Sequence, residues 1–243
     1  MAGQARKVNW FAIWVSVGVV VALVVVAGLV VFLNSQEKGP AGTGATPTAS
    51  NIDSSTGAIM VGSGEQTMDT YIDFMCPICN QFEQAYGESI QGLVDDGTIT
   101  LNIHPIAILD RQSQGTEYST RAANAMYCVA VADADAAVPF MQAMYANQPQ
   151  EGSTGLTDEQ ILQIASSAGV TGIDDCVNGG SYTDYVQTMT DKTPVQPGAG
   201  GIGTPTIAIN GEVIANSTLP EPADLASLFT GATSPTPTPT PTD

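Results

Sequence analysis

Asp73-Phe74-Met75-Cys76-Pro77-Ile78-Cys79 decides the reading of this chain. An apolar run, Tyr71 to Met75, leads directly into a C-x-x-C pair, and a helical pattern follows at once. Two sulfurs at that spacing can close a small disulfide at the mouth of a helix and open it again. Cys76 falls at the helix N-terminus, where unpaired N–H groups and the helix dipole favour a thiolate. Such positions bring a cysteine pKa from about 8.5 down to roughly 3.5–7.5. Pro77 suits the first helical position, because its φ is already set and its missing N–H is not needed there. Cys79, one turn in, is expected to be the more buried sulfur, and Cys76 the exposed one.

The same spacing also occurs in zinc sites and in inert disulfides. Structural zinc sites bring a second close pair of ligands. Here the other two cysteines, Cys128 and Cys176, stand alone, and His104 is the only histidine. Thiol–disulfide chemistry is the favoured reading, with no metal site and no cofactor expected. His104, before a proline on a predicted strand, is read as structural.

Residues 10–33 form an apolar run broken only by Ser16, Gly18 and Gly28. As a helix it spans about 36 Å, enough for a hydrocarbon core of about 30 Å. Arg6 and Lys7 precede it and no acidic residue occurs before Glu37, so residues 1–9 are expected in the cytoplasm and everything after Leu33 outside. The run is longer than the 7–15 residues of a signal-peptide core, and no close A-x-A site follows, which favours an uncleaved transmembrane anchor over a secretory signal. The C-x-x-C then faces an oxidising space, where disulfides persist. Beyond residue 34 lie 24 carboxylates and four basic residues, Lys38, Arg111, Arg121 and Lys192. That balance argues against nucleic acid and anionic lipid surfaces as partners.

Residues 34–56, rich in Gly, Thr, Ala, Ser and Pro, read as a flexible linker, and the Pro-Thr repeat of 232–243 as a polar tail. Residues 57–231 are of the right size for one domain. Strands are predicted over 57–61 and 67–74 and a helix over 77–93, with Ile78, Phe82, Ala85, Tyr86 and Leu93 as its core stripe. Ile99, Leu101 and Ile103 alternate as a strand. Residues 116–192 read as four helices, one opened by a capping box at Thr157-Asp158-Glu159-Gln160. Gly203-Thr204-Pro205-Thr206 then leads into a hairpin about Asn210-Gly211, and a short helix over 222–229 closes the domain.

A strand, a C-x-x-C helix, a helical block, then Thr-Pro ahead of a hairpin resembles the DsbA-like branch of the thioredoxin-fold family. Asp73 to Cys79 is similar to that branch's Asp-Phe-x-Cys-Pro-x-Cys signature, and Gly203 to Thr206 to its cis-proline loop. His104 to Asp110 and Tyr118 to Ala125 resemble the membrane-anchored actinobacterial members. The resemblance implies an α/β (α+β) thioredoxin fold with an inserted helical domain at about 116–192, preceded by one N-terminal transmembrane helix. It implies that Cys76 enters the mixed disulfide and Cys79 resolves it. Pro205 is expected to be cis and to face the cysteines, which leaves the Thr204 backbone to pair with an extended substrate strand. The central dipeptide departs from the strongest oxidants of the family, which carry a histidine where Ile78 stands.

Asp73 has two readings, a carboxylate that tunes the cysteine pair or a solvated or backbone-bonded aspartate. Cys128 and Cys176 are expected to form a structural disulfide within the insert, since the compartment is oxidising and the count is even. The rival is a second redox pair that relays electrons.

The expected function is a membrane-tethered, extracytoplasmic oxidase that introduces disulfides into secreted proteins with free thiols. A quinone-linked membrane reoxidase of the DsbB or VKOR type is the expected second partner. The alternatives are a reductase or isomerase of the same fold, as in cytochrome c maturation, and a non-catalytic binding adaptor.

Overall fold

The computed structural model describes residues 44–230. The expected anchor at 10–33, the N-terminus 1–9, the first part of the linker and the tail lie outside the described residues. Among the described residues no helix is long and apolar enough to cross a membrane.

Six strands form one sheet: β1 (Ile52–Asp53), β2 (Ala58–Gly62), β3 (Gln66–Ile72), β4 (Ile99–Pro105), β5 (Thr206–Ile209) and β6 (Glu212–Ile214), in the order β1-β2-β4-β3-β5-β6. β3 and β4 run parallel, with Tyr71 opposite His104, and the other neighbours are antiparallel. A parallel pair needs a crossover, and α1 (Pro77–Asp95) supplies it. That places the cysteine pair at the C-terminal end of a central strand.

The expected stripe of α1 holds at Phe82 and Leu93, with Tyr86 partly buried against the core, and is corrected at Ile78 and Ala85. Cys79, Phe82, Gly87, Ile90, Leu93 and Val94 are buried, whereas Ile78 is 52% exposed and Ala85 is exposed. Successive helical residues point about 100° apart, so with the face that holds Cys79, Phe82, Ile90 and Leu93 turned inward, Ile78 and Ala85 fall outside it. The linker expectation is corrected too. Within 44–56, Pro47 and Ile52 are buried, Ile52 pairs with Ile59, and the Tyr185 hydroxyl donates to the Ser54 carbonyl at 2.9 Å. A two-residue strand is too short to show a period in sequence.

The helical insert lies between β4 and β5. It contains α2 (Tyr118–Ala132), α3 (Ala137–Ala146), α4 (Asp158–Ser167), α5 (Asp174–Asn178) and α6 (Thr183–Asp191). α2 is its centre and packs against the other four; Ala122, Ala123, Ala125 and Ala130 are buried on it and let neighbours approach closely. Thr157 and Gln160 make the expected reciprocal capping box on α4. The five-residue α5 was not foreseen, being shorter than two helical turns. Met126, Met141 and Met144 fill the core.

At the hairpin, Asn210 and Gly211 have φ of +52° and +80°, the left-handed pair that a tight two-residue connection requires. The closing segment is a 3-10 turn at Pro222–Asp224 followed by α7 (Ser227–Thr230), rather than one helix; Leu225 and Phe229 anchor it in the core.

Candidate functional site

Cys76 is the N-cap of α1, in extended geometry (φ −74°, ψ 114°), with Pro77 in the first turn. The Cys79 backbone N–H points at the Cys76 sulfur, N to Sγ 3.4 Å. The Cys76 thiol in turn lies 3.5 Å from the Thr204 carbonyl oxygen, so the two sequence motifs, 128 residues apart, meet at one sulfur. Both cysteines are free thiols.

Their environments push the two thiols apart. The hydrogen bond from the Cys79 side chain is the largest influence on Cys76; burial opposes it, while Thr204 and the N–H groups of Cys79 and Ile78 add to it, and its pKa falls to about 6. Burial pushes the Cys79 thiol well up, and the neighbouring Cys76 raises it further. Cys76 itself is only 5% exposed, less than the sequence suggested, because the cis-proline loop covers it. Exposed apolar side chains flank the two motifs in sequence: Ile78 within the C-x-x-C, Ile202 two residues before Thr204, and Val195 next to Gln196.

The Thr204–Pro205 bond is cis. The Pro205 carbonyl accepts from Gln196 Nε2 at 2.9 Å and Asn216 Nδ2 at 2.8 Å, and the Thr206 hydroxyl donates to the Gly203 carbonyl at 2.7 Å. Gln196 and Asn216 carry no sequence signal, since neither lies in a motif.

Asp73 is fully buried, which removes the solvated reading. Its Oδ1 accepts from the Met75 N–H at 2.8 Å and the Ser119 hydroxyl at 2.7 Å, and its Oδ2 from the Leu109 N–H at 2.9 Å. Burial raises its pKa to about 7 against the pull of those donors. Ser119 and Leu109 were not foreseen. Glu83, one turn beyond Cys79, lines a cavity of about 20 Å³ with Cys79, Tyr145 and Gln142. Burial raises its carboxyl too.

His104 lies outside this group. Its Nε2 is 2.9 Å from Asp69 Oδ1 and its ring stacks on Tyr71 at 4.1 Å. Cys128 of α2 and Cys176 of α5 are joined as a disulfide within the insert. Among the described residues no three His, Cys, Asp or Glu side chains gather as a metal-binding group.

A family model described as thioredoxin matches residues 56–225. The chain belongs to the thioredoxin family. Among solved structures, this thioredoxin-family chain is similar to reduced DsbA from Mycobacterium tuberculosis, with 31% identity and a TM-score of 0.62 over 72% of this chain and 93% of that one. It is likewise similar to the reduced disulfide bond oxidoreductase DsbG of the same organism, with 30% identity and a TM-score of 0.62 over 72% and 88%. A curated relative, the serine/threonine-protein kinase PknE of Mycobacterium tuberculosis, is 31% identical over 180 residues. That match covers 70% of this chain and 31% of the kinase, so the chain spans about a third of the length of the curated relatives it matches. This thioredoxin-family member, of the DsbA type with its helical insertion, is a thiol–disulfide oxidoreductase.

Proposed function

We propose that the enzyme is an oxidase, which passes the Cys76–Cys79 disulfide to the thiols of secreted proteins. The observation that carries this reading is the Cys79 N–H aimed at the Cys76 sulfur from the first turn of a helix. A stabilised Cys76 thiolate favours the reduced enzyme, and a stable reduced form makes the disulfide a stronger oxidant.

The reaction balances as follows. A substrate thiolate attacks Cys76 Sγ, the Cys76–Cys79 bond breaks, and Cys79 leaves and takes up a proton, which its buried environment favours. A second substrate thiolate then attacks the substrate sulfur of the mixed disulfide and expels Cys76 as a thiolate. Two electrons have moved from the substrate dithiol to the enzyme. The apolar side chains of Ile78, Val195 and Ile202 suit an unfolded chain whose own apolar residues are still exposed. Reoxidation is assigned to a quinone-linked membrane partner, and residues 10–33 to a membrane anchor that keeps the domain outside the cell.

Ile78 favours the second reading, a reductase, because it withholds the imidazole that would stabilise the thiolate further. Equilibrating the Cys76–Cys79 pair with glutathione, beside an assay of reduced-substrate refolding, separates the two. The oxidase reading requires a potential above thioredoxin's, about −270 mV, and disulfide formation in the substrate. A potential at or below that value makes the enzyme a reductase. A cellular role that is indifferent to Cys76→Ser would overturn both readings in favour of a non-catalytic binding adaptor.

A further inference from the structure

The turn that carries Cys76 is gripped by a side chain from the helical insert. Gln148 lies two residues beyond the end of α3, and its Nε2 donates to the Phe74 carbonyl at 3.0 Å and to the Cys76 carbonyl at 2.9 Å. Both hydrogens of one amide are thus spent on the main chain of the redox turn. Its Oε1 accepts from Asn80 Nδ2 at 3.0 Å, and that same nitrogen donates to the Tyr145 carbonyl at 3.0 Å. Asn80 Oδ1 in turn accepts from Gln84 Nε2 at 2.9 Å. The network fixes which way the Gln148 amide faces: turned over, its oxygen would meet two carbonyls and its nitrogen would meet the Asn80 amide.

We propose that Gln148, held by Asn80, is a positioning residue that fixes the peptide plane of Cys76 and thereby the placement of its sulfur against the Cys79 N–H. An N-cap side chain reaches the N–H three residues on only while its own backbone stays extended. The carbonyl of the same residue is the first acceptor of the helix, and here that bond, from Asn80 N, is long at 3.3 Å. Pro77 has no N–H to help hold the plane. The Gln148 donor is therefore a second restraint on a peptide that the helix holds loosely. On the opposite side Asp73 takes the Met75 N–H with its carboxylate and the Cys76 N–H with its carbonyl. The turn is thus pinned through its carbonyls by one residue and through its N–H groups by another. Gln148 also places two partly positive hydrogens near Cys76, which favours the thiolate over the thiol.

The inference rests on Cys76 being the reacting thiolate, and its test separates the two claims. In the whole chain with Cys76 and Cys79 reduced, the alkylation rate of Cys76 is followed against pH by mass spectrometry of its peptide, for the wild type, Gln148→Leu, Gln148→Glu and Asn80→Ala. Thermal unfolding of each variant is measured beside it. Gln148→Leu is expected to move the midpoint of the Cys76 profile upward by roughly half a pH unit or more, about a threefold fall in the dissociation constant and about a twofold loss of thiolate near pH 6. Gln148→Glu, which replaces the donors by an acceptor, should move it further. Asn80→Ala should move it the same way but less. Variants that melt earlier yet keep the wild-type midpoint would show a merely structural contact and overturn the inference alone. A wild-type midpoint at the ordinary thiol value would overturn the reading of Cys76 and this inference with it. Should Gln148→Leu fail to fold, the other two variants decide by the same criterion.

Discussion

The Ser119 hydroxyl donates to the Asp73 carboxylate at 2.7 Å, which ties the turn before Cys76 to the first helix of the insert. The same carboxylate holds the N–H groups of Met75 and Leu109, so one buried side chain joins three segments. Its pKa is raised from an ordinary 3.8 to about 7, burial being the main cause. Between those two values the folded chain binds more protons at this group than the unfolded chain does. The stability it contributes is therefore complete below about pH 4 and is lost as pH rises through about 7.

Asp73→Asn should remove that dependence. At pH 5 the variant is expected to be the less stable, by about 1–3 kcal/mol, because its amide nitrogen would face the Leu109 N–H. By pH 8 the gap should narrow, since only the wild type then buries a carboxylate. Melting temperatures of both proteins from pH 5 to 8 check this, and a gap that stays constant would show that the carboxyl does not titrate in that window.

The unequal thiols make a second prediction. With Cys76 near pKa 6 and Cys79 well above the ordinary value, an alkylating reagent at pH 6 should label Cys76 at least tenfold faster, since each pKa unit between the two is worth about a factor of ten in thiolate. Raising the pH from 5 to 7 should speed Cys76 labelling and leave Cys79 almost untouched. Equal rates, or faster labelling of Cys79, would contradict the assignment of Cys76 as the sulfur that enters the mixed disulfide. Cys79→Ser should in turn trap mixed disulfides with substrate.

Cys128 and Cys176 are 48 residues apart in sequence. A bond across a loop of that length contributes about 4 kcal/mol in the chain-entropy model. Replacing both by Ser should lower the melting temperature by roughly 8–16 °C for a domain of this size and largely spare oxidoreductase activity. The bond should also survive glutathione concentrations that reduce Cys76–Cys79. If mild reductant opens Cys128–Cys176 first, the pair belongs to an electron relay.

What could be read in sequence was local. Cys76, Pro77 and Cys79 announce a helix start because the spacing and the proline act within one turn. Asn210-Gly211 announces a hairpin because two left-handed residues in succession suit few others. The Thr157–Gln160 box is local in the same sense. The supports of the site were not legible, because their partners are distant: Ser119 is 46 residues from Asp73, and Gln148 is 72 from Cys76. A serine, a glutamine or a backbone N–H carries no pattern until the chain brings it home. The misplacement of Ile78 in the α1 stripe has a different cause. Hydrophobicity alone assigns Ile78 to the core, but it lies outside the helix face that Cys79, Phe82, Ile90 and Leu93 turn inward.

That outward turn makes position 78 the place to adjust oxidising strength. Ile78 adjoins Cys76 and is 52% exposed, so a larger polar side chain fits there without disturbing the core. A histidine would place an imidazole beside the sulfur. Where that ring is protonated, below an ordinary pKa of about 6.5, its charge stabilises the thiolate and not the thiol. The reduced form of Ile78→His should then gain stability relative to the disulfide. A tenfold gain in that equilibrium corresponds to about 30 mV for two electrons. We expect a rise of this order at pH 6, measured by equilibration with glutathione, and a smaller rise at pH 8, where most of the imidazole is neutral. Ile78→Ala, which removes the apolar surface but adds no charge, should leave the potential near the wild-type value and weaken activity toward unfolded substrates. A potential that Ile78→His leaves unchanged at both pH values would mean that a charge at position 78 does not reach the Cys76 sulfur.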